Sequence, residues 1–337
     1  MREHAAGATP SPVPSRPATL LARRVSRPVL ALVGPAEGAR PGTLHSVFAQ
    51  AVNIQLTGGA FVSLTAAELP LAANGVAVAL PAAWTWPALG LRAGQPCLLD
   101  REGLWLPLGP LRVDWGAAPD WEPRPALRPG VTPARLAARL ARLQGIALRA
   151  ADRGGLAPLL GHLAMDIAPA PDSPLARAAL PALHALSAAA SAADVAGAAV
   201  AAARLAGLGP GLTPAGDDLL AGFAATWLLT ARALGRDVWR ARRLVAAVAR
   251  AAGPRASALG AAWLAHAARG EVSEPQGALL TVLLARGETP RDAYGLEAVA
   301  RMVLAQGATS GADWLAGAVL AGQATLEPLA EGMHRPP

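Results

Sequence analysis

The sequence contains no lysine and a single cysteine, although 30 of its 337 residues are basic. All of the basic residues are therefore arginines, which together with the excess of alanine indicates a genome-wide compositional bias more than a local adaptation. The lone Cys97 excludes an internal disulfide and any metal cluster built from cysteines. It also agrees with a reducing compartment.

Long apolar runs and targeting segments are also missing. Residues 69–91 are interrupted by three prolines, and the apolar run that starts at Leu219 extends only to Ala231, which is too short to cross a bilayer. The first 17 residues are rich in Pro, Ser and Ala and lack an apolar signal core. The sequence thus predicts a cytoplasmic protein with no membrane partner and a disordered start over residues 1–24.

The formal net charge of +7 could indicate an acidic partner or a nucleic acid. The arginines, however, are scattered along the predicted helices, and only residues 240–243 form a dense patch. No recognisable nucleic-acid-binding motif accompanies that patch, so we predict that nucleic acid is not a partner.

The first part of the chain predicts short strands, and the second part predicts helices. Residues 47–56 and 61–65 flank a Thr-Gly-Gly turn and predict a hairpin whose first strand carries His45 and Asn53. Further short strands follow. The expected fold class is α+β: a small antiparallel β-barrel or sandwich over residues 25–122, a Pro-rich connector over 123–133 and a mostly α-helical domain over 134–330.

Residues 207–222 read as a glycine loop that leads into a helix, and they carry the strongest sign of function. The loop has glycines at 207, 209 and 211; Thr213 fits an N-cap, and Pro214 suits the first helical position. Glycines expose backbone amides, and a helix N-terminus favours an anion. We therefore expect Gly209, Gly211 and Thr213 to hold an anionic group.

Asp217 and Asp218 follow this loop directly and would repel a bare phosphate. A divalent cation such as Mg²⁺, or a bound ammonium or amide group, would resolve that conflict. The sequence thus predicts both aspartates as catalytic residues and as metal ligands, with Mg²⁺ as a possible cofactor. The simpler alternative is that the two acids complement the helix dipole and fasten the loop.

A second copy of the motif lies near the C-terminus. Residues 310–317 align without a gap on residues 215–222 and share Gly, Asp, Leu, Ala and Gly. The small pairs Ala221-Gly222 and Ala316-Gly317 would let two helices approach closely and bring Asp218 and Asp313 to one place. The alternative is a chance similarity in a chain rich in Ala and Gly.

Few other residues suggest chemistry. His45 and Asn53 have equal parity in the predicted strand and would project from the same face, although a His satisfied by a turn or by solvent is an alternative. Arg255 and Ser257 stand at another helix start and could bind an anion or serve as ordinary capping residues. No nucleophile elbow, Walker loop or dinucleotide fingerprint is present.

The motif Gly-Leu-Gly-Pro-Gly-Leu-Thr-Pro-Ala-Gly-Asp-Asp over residues 207–218 resembles the signature of the AllH-like family of oxamate carbamoyltransferase subunits. Residues 45–53, 257–271 and 307–313 resemble the hairpin, the middle helix and the C-terminal turn of that family. Pro254-Arg255-Ala256 stands where relatives tend to have a Thr-Thr pair, and Ala308 stands where a His is usual.

The resemblance implies a subunit of an enzyme of allantoin or purine breakdown, which converts oxalurate and phosphate into oxamate and carbamoyl phosphate. It implies a small anionic substrate and other carbamoyltransferase subunits as partners. The alternative is a non-catalytic subunit that binds a small anion or a nucleotide. The substrate-binding residues expected on this basis are Gly209, Gly211, Thr213, Gly216, His45, Ser46, Asn53, Arg255, Ser257, Thr309, Ser310, Gly311 and Asp313.

Overall fold

A computed structural model describes residues 18–33, 38–81, 83–108, 111–150, 154–163, 173–287 and 292–333. The chain divides into two compact units, Met1–Trp121 and Glu122–Pro337, and each is described by itself. Residues 1–17 of the segment predicted to be disordered lie outside the described residues. In the described ranges, none of the helices has the length and hydropathy needed to span a lipid bilayer.

The first unit is built from strands. They are β1 (Ala18–Ser26), β2 (Arg40–Val47), β3 (Ala51–Leu56), β4 (Phe61–Ala66), β5 (Gly75–Val78), β6 (Pro96–Leu99), β7 (Gly103–Leu106), β8 (Leu111–Asp114) and β9 (Asp120–Trp121). A short helix α1 (Arg27–Leu30) follows β1, and a 3₁₀ turn covers Pro87–Leu89.

Eight of these strands close into a barrel. Its order is β1, β5, β4, β3, β2, β6, β7 and β8, and β8 pairs with β1 again, while the two-residue β9 adds alongside β1. The predicted barrel is thus confirmed. It is mixed and not purely antiparallel, because β1–β8 and β4–β5 are parallel pairs.

Two details of the barrel differ from the sequence prediction. The strand expected over residues 47–56 is divided between β2 and β3 by a tight turn, in which the amide of Phe48 donates to the carbonyl of Ala51 over 2.8 Å. No Gly, Pro or Asn marks that turn in the sequence. In addition, β1 begins at Ala18, inside the segment predicted to be disordered, because its register with β8 starts there.

The barrel core consists of the residues that alternate inward along the strands. Val52, Ile54 and Leu56 of β3 are buried beside Val62 and Leu64 of β4, as the two-residue period of a strand requires.

The second unit is helical. Its helices are α2 (Pro133–Arg149), α3 (Leu159–Leu163), α4 (Pro174–Ser191), α5 (Val195–Leu205), α6 (Ala215–Ala233), α7 (Val238–Ala252), α8 (Ala258–Ala267), α9 (Glu274–Leu283), α10 (Asp292–Leu304) and α11 (Ser310–Met333). Thr132 is the N-cap of α2, and its side chain accepts a bond from the amide of Arg135.

The segment that precedes α2 is fastened to the end of α8 by Glu271. This buried carboxylate accepts bonds from Arg124 at 2.7 Å and Arg269 at 3.0 Å, and it lies 2.7 Å from Nδ1 of His266. Burial acts to raise the pKa of Glu271, but the bonds from His266, Arg269 and Arg124 outweigh it and lower the pKa to about 2.

Helices α6 and α11 form the centre of the helical unit and pack almost backbone to backbone. A Cβ on Gly222 would overlap the carbonyl oxygen of Trp314, and a Cβ on Gly317 would overlap the carbonyl oxygen of Leu219. These four residues occupy equivalent positions in the two motif copies. The two contacts are therefore reciprocal, which supports a true internal repeat and confirms the predicted close approach.

The substitution Gly317→Ala tests this packing. The added methyl group has no free space, so we expect the free energy of unfolding to fall by about 3 kcal/mol or more. Gly295→Ala on α10 is the matched control, because a Cβ there meets no atom within 4 Å. The control should raise stability by up to about 1 kcal/mol through helix propensity. Urea unfolding of both variants measures the difference; equal stabilities would contradict the packing.

Candidate functional site

The glycine loop, residues 207–214, joins α5 to α6. Gly207, Gly209 and Gly211 have φ values of +75°, +112° and +100°, which side-chain-bearing residues rarely adopt. Gly207 also lies against the carbonyl oxygen of Arg255, where a Cβ would collide. In the described part of the chain, the amides of Gly209, Gly211 and Thr213 donate no hydrogen bond. These amides remain available to a ligand.

Thr213 does not cap α6, contrary to the sequence prediction. Pro214 occupies the N-cap position without a side-chain bond, and the helix begins at Ala215. The hydroxyl of Thr213 instead lies 3.3 Å from the hydroxyl of Ser310, the first residue of α11. Thr213 therefore joins the two motif copies, because its hydroxyl lies beside Ser310 of α11 and hydrogen-bonds Asp218 of α6.

Gly216 and Gly311 are packing residues at the two helix starts. A Cβ on Gly216 would overlap the carbonyl oxygen of Leu205, and one on Gly311 would overlap that of Val303. The amide of Gly216 donates to the carbonyl of Leu208 over 2.9 Å. The Gly216 amide is thus already engaged, and the amides of the loop are better placed to hold an anion.

Asp217 fastens the loop. Its side chain is 1% exposed, and its two carboxylate oxygens accept bonds of 2.8 Å from the amides of Gly207 and Ser257. These bonds hold together the start of the loop and the start of α8. Both oxygens face backbone donors, which supports the simpler alternative for this aspartate.

Asp218 faces the second motif copy and keeps one free oxygen. Its side chain is 5% exposed, and Oδ2 has no hydrogen-bond partner among the described residues. Burial is the largest cause that raises the pKa of Asp218 to about 7; hydrogen bonds from Ser310 and Thr213 oppose the rise, and the charges of Asp313 and Asp217 add to it. A raised pKa in a buried position is typical of functional carboxyl groups.

Asp313 is the equivalent residue on α11, and its charge adds to the rise in the pKa of Asp218. The 3.3 Å contact between the hydroxyls of Thr213 and Ser310 brings the starts of α6 and α11 together. Asp313 is fully buried, and its Oδ2 has no partner in the described chain. Its Oδ1 accepts a bond of 2.5 Å from the amide of Leu156. Burial raises its pKa to about 6, although bonds from Leu156, Thr309 and Ala157 act against the rise.

Residues 154–157 hold Asp313, and they were not predicted from the sequence to belong to the site. Gly154 and Gly155 have φ values of +88° and +77°, and a Cβ on Gly155 would collide with the carboxylate of Asp313. The pair of adjacent glycines was the sign in the sequence that this segment has a special role, because a helix end needs only one glycine.

The predicted site residues of the barrel form a cluster of their own. Nδ2 of Asn53 donates to the hydroxyl of Ser46 over 3.0 Å, and the hydroxyl of Ser63 donates to Asn53 over 2.8 Å. The register of β2 shifts between Leu44 and Ser46, so Ser46, and not His45, pairs with Asn53. This bulge interrupts the alternation on which the shared face of His45 and Asn53 was predicted. His45 instead packs edge-on against Phe61, with ring centroids 5.2 Å apart.

Arg255 and Ser257 make local bonds. Ser257 is the N-cap of α8, and its hydroxyl accepts a bond of 2.9 Å from the amide of Gly260. The guanidinium of Arg255 donates to the carbonyl of Ala203 over 3.0 Å. For Ser257 the structure thus supports ordinary capping, whereas Arg255 is exposed and its role in binding stays a prediction.

A metal ion would find a limited set of ligands here. The described residues contain no group of three or more His, Cys, Asp or Glu side chains that could hold one. Both oxygens of Asp217 already accept a backbone bond, and its side chain is buried. The available oxygens are those of Asp218 and Asp313 and the hydroxyls of Thr213 and Ser310, a set that Mg²⁺ could use together with water.

A separate cleft of about 610 Å³ lies between α2 and α10. It is lined by Ile146, Arg149, Ala150, Glu297, Arg301, Leu304 and Ala305. Arg301 is paired with Glu297 at 2.5 Å, which reduces its capacity for an external anion.

Two substitutions separate the fastening role of Asp217 from the free carboxyl group of Asp218. Asp217→Asn places an NH2 group against a backbone N–H, and we expect the free energy of unfolding to fall by about 1–3 kcal/mol. Asp218→Asn removes a carboxyl group whose folded pKa is raised, so the wild type should lose more stability than the variant as the pH rises from about 4 to about 7. Above that range Asp218→Asn should be the more stable protein, by up to a few kcal/mol.

Urea unfolding of both variants at acidic and at mildly alkaline pH measures this contrast. An Asp217→Asn variant as stable as the wild type would contradict the fastening role. A difference between Asp218→Asn and wild type that does not grow with pH would contradict the raised pKa.

Comparison with protein-family models gave two matches, one in each unit. The model described as oxamate carbamoyltransferase subunit AllH matches residues 205–322, and the model of the AllH family N-terminal domain matches residues 22–120. No curated protein and no solved structure matched the chain. The first match contains the glycine loop with Asp217 and Asp218, and it contains the second motif copy with Asp313. Because the two matches together extend over well more than half of the sequence, this chain belongs to the AllH family of oxamate carbamoyltransferase subunits.

Proposed function

We propose that this subunit binds the substrate of an oxamate carbamoyltransferase between the glycine loop and the carboxyl groups of Asp218 and Asp313. The reaction interconverts oxalurate and phosphate with oxamate and carbamoyl phosphate, in the allantoin branch of purine breakdown. The supporting observation is that Asp218, at the start of the helix that follows the glycine loop, has a buried carboxyl oxygen without a partner among the described residues, and that amides of this loop donate no hydrogen bond there.

These two kinds of group suit the two ends of the substrates. Oxamate, oxalurate and carbamoyl phosphate each carry an anionic group and an NH2 group. Free amides in a glycine loop can bind the anionic end, as they do in other anion-binding loops. The NH2 end can donate to Oδ2 of Asp218 and Oδ2 of Asp313, which would relieve the cost of leaving a buried acceptor unpaired, about 1–3 kcal/mol for each.

The roles proposed for individual residues follow from their positions. Gly209, Gly211 and Thr213 bind the anionic end, and Asp218 and Asp313 bind the NH2 end. The side chain of Ser310 hydrogen-bonds Asp218, and the side chain of Thr309 hydrogen-bonds Asp313. Both residues therefore support the carboxyl groups. Asp217 positions the loop and has no free oxygen for the substrate.

A subunit implies partners, and we propose that the other subunits of the transferase complete the reaction with this chain. The cytoplasm is the proposed location. Cys97 fits this setting without taking part in chemistry, because burial raises the pKa of its thiol to about 11. The second candidate is a binding subunit without chemistry of its own, which is favoured by the lack of a nucleophile motif in the sequence.

Substitution of Asp218 in the assembled enzyme tests the proposed site. The assay follows formation of oxalurate from oxamate and carbamoyl phosphate with all subunits present. Asp218→Asn keeps the size of the side chain and removes its ability to become an anion. We expect the rate constant kcat to fall by about 10²-fold, the loss that misplacement of a reacting group can cause, because Asp218 is proposed to hold the attacking NH2 group.

Glu68→Gln is the matched control, since Glu68 is an exposed acid in the barrel unit. It should leave the rate unchanged. If Asp218→Asn raised KM and kept kcat, the binding-subunit candidate would be preferred. Full activity of the Asp218→Asn variant would contradict the proposed site.

A further inference from the structure

Helix α7 carries exposed residues along one face, which we call the α7 stripe. They follow Trp239 at spacings of three, four, seven and eleven residues, which keep them on the same side of a helix. The members of the α7 stripe are Trp239, Arg242, Arg243, Ala246 and Arg250. The other side of α7 is buried, and the helix packs on α5, α6 and α8. The α7 stripe is therefore the side of the helix that is left for a partner.

The α7 stripe has a positive charge that the chain does not balance. Its three arginines make no ion pair with a carboxylate in the described part of the chain. Residues 238–270 contain six arginines and no Asp or Glu. The acid that comes just before α7 is Asp237, and it is paired with Arg240 at 3.4 Å. An external partner with negative charge would fit this surface.

Trp239 is the apolar anchor of the α7 stripe. Its residue surface is 63% exposed, which is unusual for so large an apolar side chain. The guanidinium of Arg243 lies 4.8 Å from the centroid of its ring, a cation–π contact that restrains both side chains. Oδ1 of Asp237 accepts bonds of 2.9 Å and 3.1 Å from the amides of Trp239 and Arg240, which fixes the first turn of the helix. Groups that are ordered before binding lose less entropy when a partner arrives.

We propose that the α7 stripe binds an acidic surface on another subunit of the transferase, with Trp239 in an apolar pocket and the arginines paired with carboxylates around it. This inference rests on the proposed function for the identity of the partner, and it adds the surface that joins the two chains. Trp and Arg are the side chains that most often carry the binding energy of an interface. The planar guanidinium also suits carboxylates, because it can donate two parallel hydrogen bonds to one of them.

Three other partners fit the α7 stripe less well. A two-fold contact with a second copy of this chain would place the stripe against itself, with arginines facing arginines. A lipid surface needs a wide apolar face, whereas the stripe has one large apolar side chain. No recognisable nucleic-acid-binding motif accompanies the arginines in the sequence. A protein partner is also what the match to a transferase subunit implies.

Calorimetric titration of the full chain with the other transferase subunits, purified separately, tests the proposal. Trp239→Ala removes the anchor, and we expect the dissociation constant to rise by about 30-fold or more. A variant with both Arg242→Gln and Arg250→Gln should bind about 10-fold more weakly at low salt. Its affinity should also depend less on salt than that of the wild type, because salt screens the charges that were removed.

Two exposed residues on other helices of the same unit supply matched controls. Met302→Ala on α10 removes an apolar side chain that is 48% exposed, and Arg142→Gln on α2 removes an exposed arginine. Both should keep the affinity and the salt dependence of the wild type. The substitutions in the α7 stripe introduce good helix formers at exposed positions, so these variants should fold. Urea unfolding of each variant checks that expectation.

Two results would overturn the proposal: wild-type affinity in both α7 variants, or a wild-type chain that binds none of the other subunits. Binding to a short DNA duplex or to vesicles that contain phosphatidylserine, in place of the subunits, would also overturn it. The proposed function fails in a different way. If the subunits assemble through the α7 stripe but the assembly transfers no carbamoyl group to oxamate, the proposed reaction is rejected and the interface is retained.

Discussion

The close approach of the α6 and α11 backbones is the constraint on which the helical unit depends. Gly222 and Gly317 lie against carbonyl oxygens of the opposite helix, and no larger residue fits at either position. The contact brings the starts of both helices to one place, with Asp218 on one side and Asp313 on the other. Without it, each carboxyl group would belong to an unrelated helix start. Two glycines, each about one helical turn after an aspartate of the candidate site, thus set the geometry of that site.

Adjacent aspartates have opposite roles because a helix turns by about 100° at each residue. Asp217 projects toward the start of the loop and toward α8, where two amides bind it. Asp218 projects toward α11, where it meets hydroxyl groups and another acid. The motif Gly-Asp-Asp therefore combines, in consecutive positions, a residue that fastens the loop and a residue that keeps a buried carboxyl oxygen without a partner in the described chain.

The sequence was sufficient for the α+β class, the barrel, the glycine loop and the meeting of the two motif copies, since each has a strong local pattern. It was insufficient where the pattern was weak or depended on tertiary structure. The turn between β2 and β3 has no turn residues, and the bulge beside His45 appears only in the register with β3. Thr213 has the residue type and position that are typical of a helix N-cap, but its hydroxyl lies beside Ser310, which is 97 residues away along the chain. Residues 154–157 could not be assigned to the site, because only the fold brings them to Asp313.

The glycine loop is held at its ends and free at its tip. Asp217 binds the amide of Gly207, and the amide of Gly216 binds the carbonyl of Leu208, whereas the amides from Gly209 to Thr213 donate no bond in the described chain. A ligand that uses those amides has to restrict glycines, which lose more conformational entropy on ordering than other residues. Binding at the loop should therefore be driven by enthalpy and opposed by entropy, and small, compact anions that require few ordered residues should be favoured over larger ones.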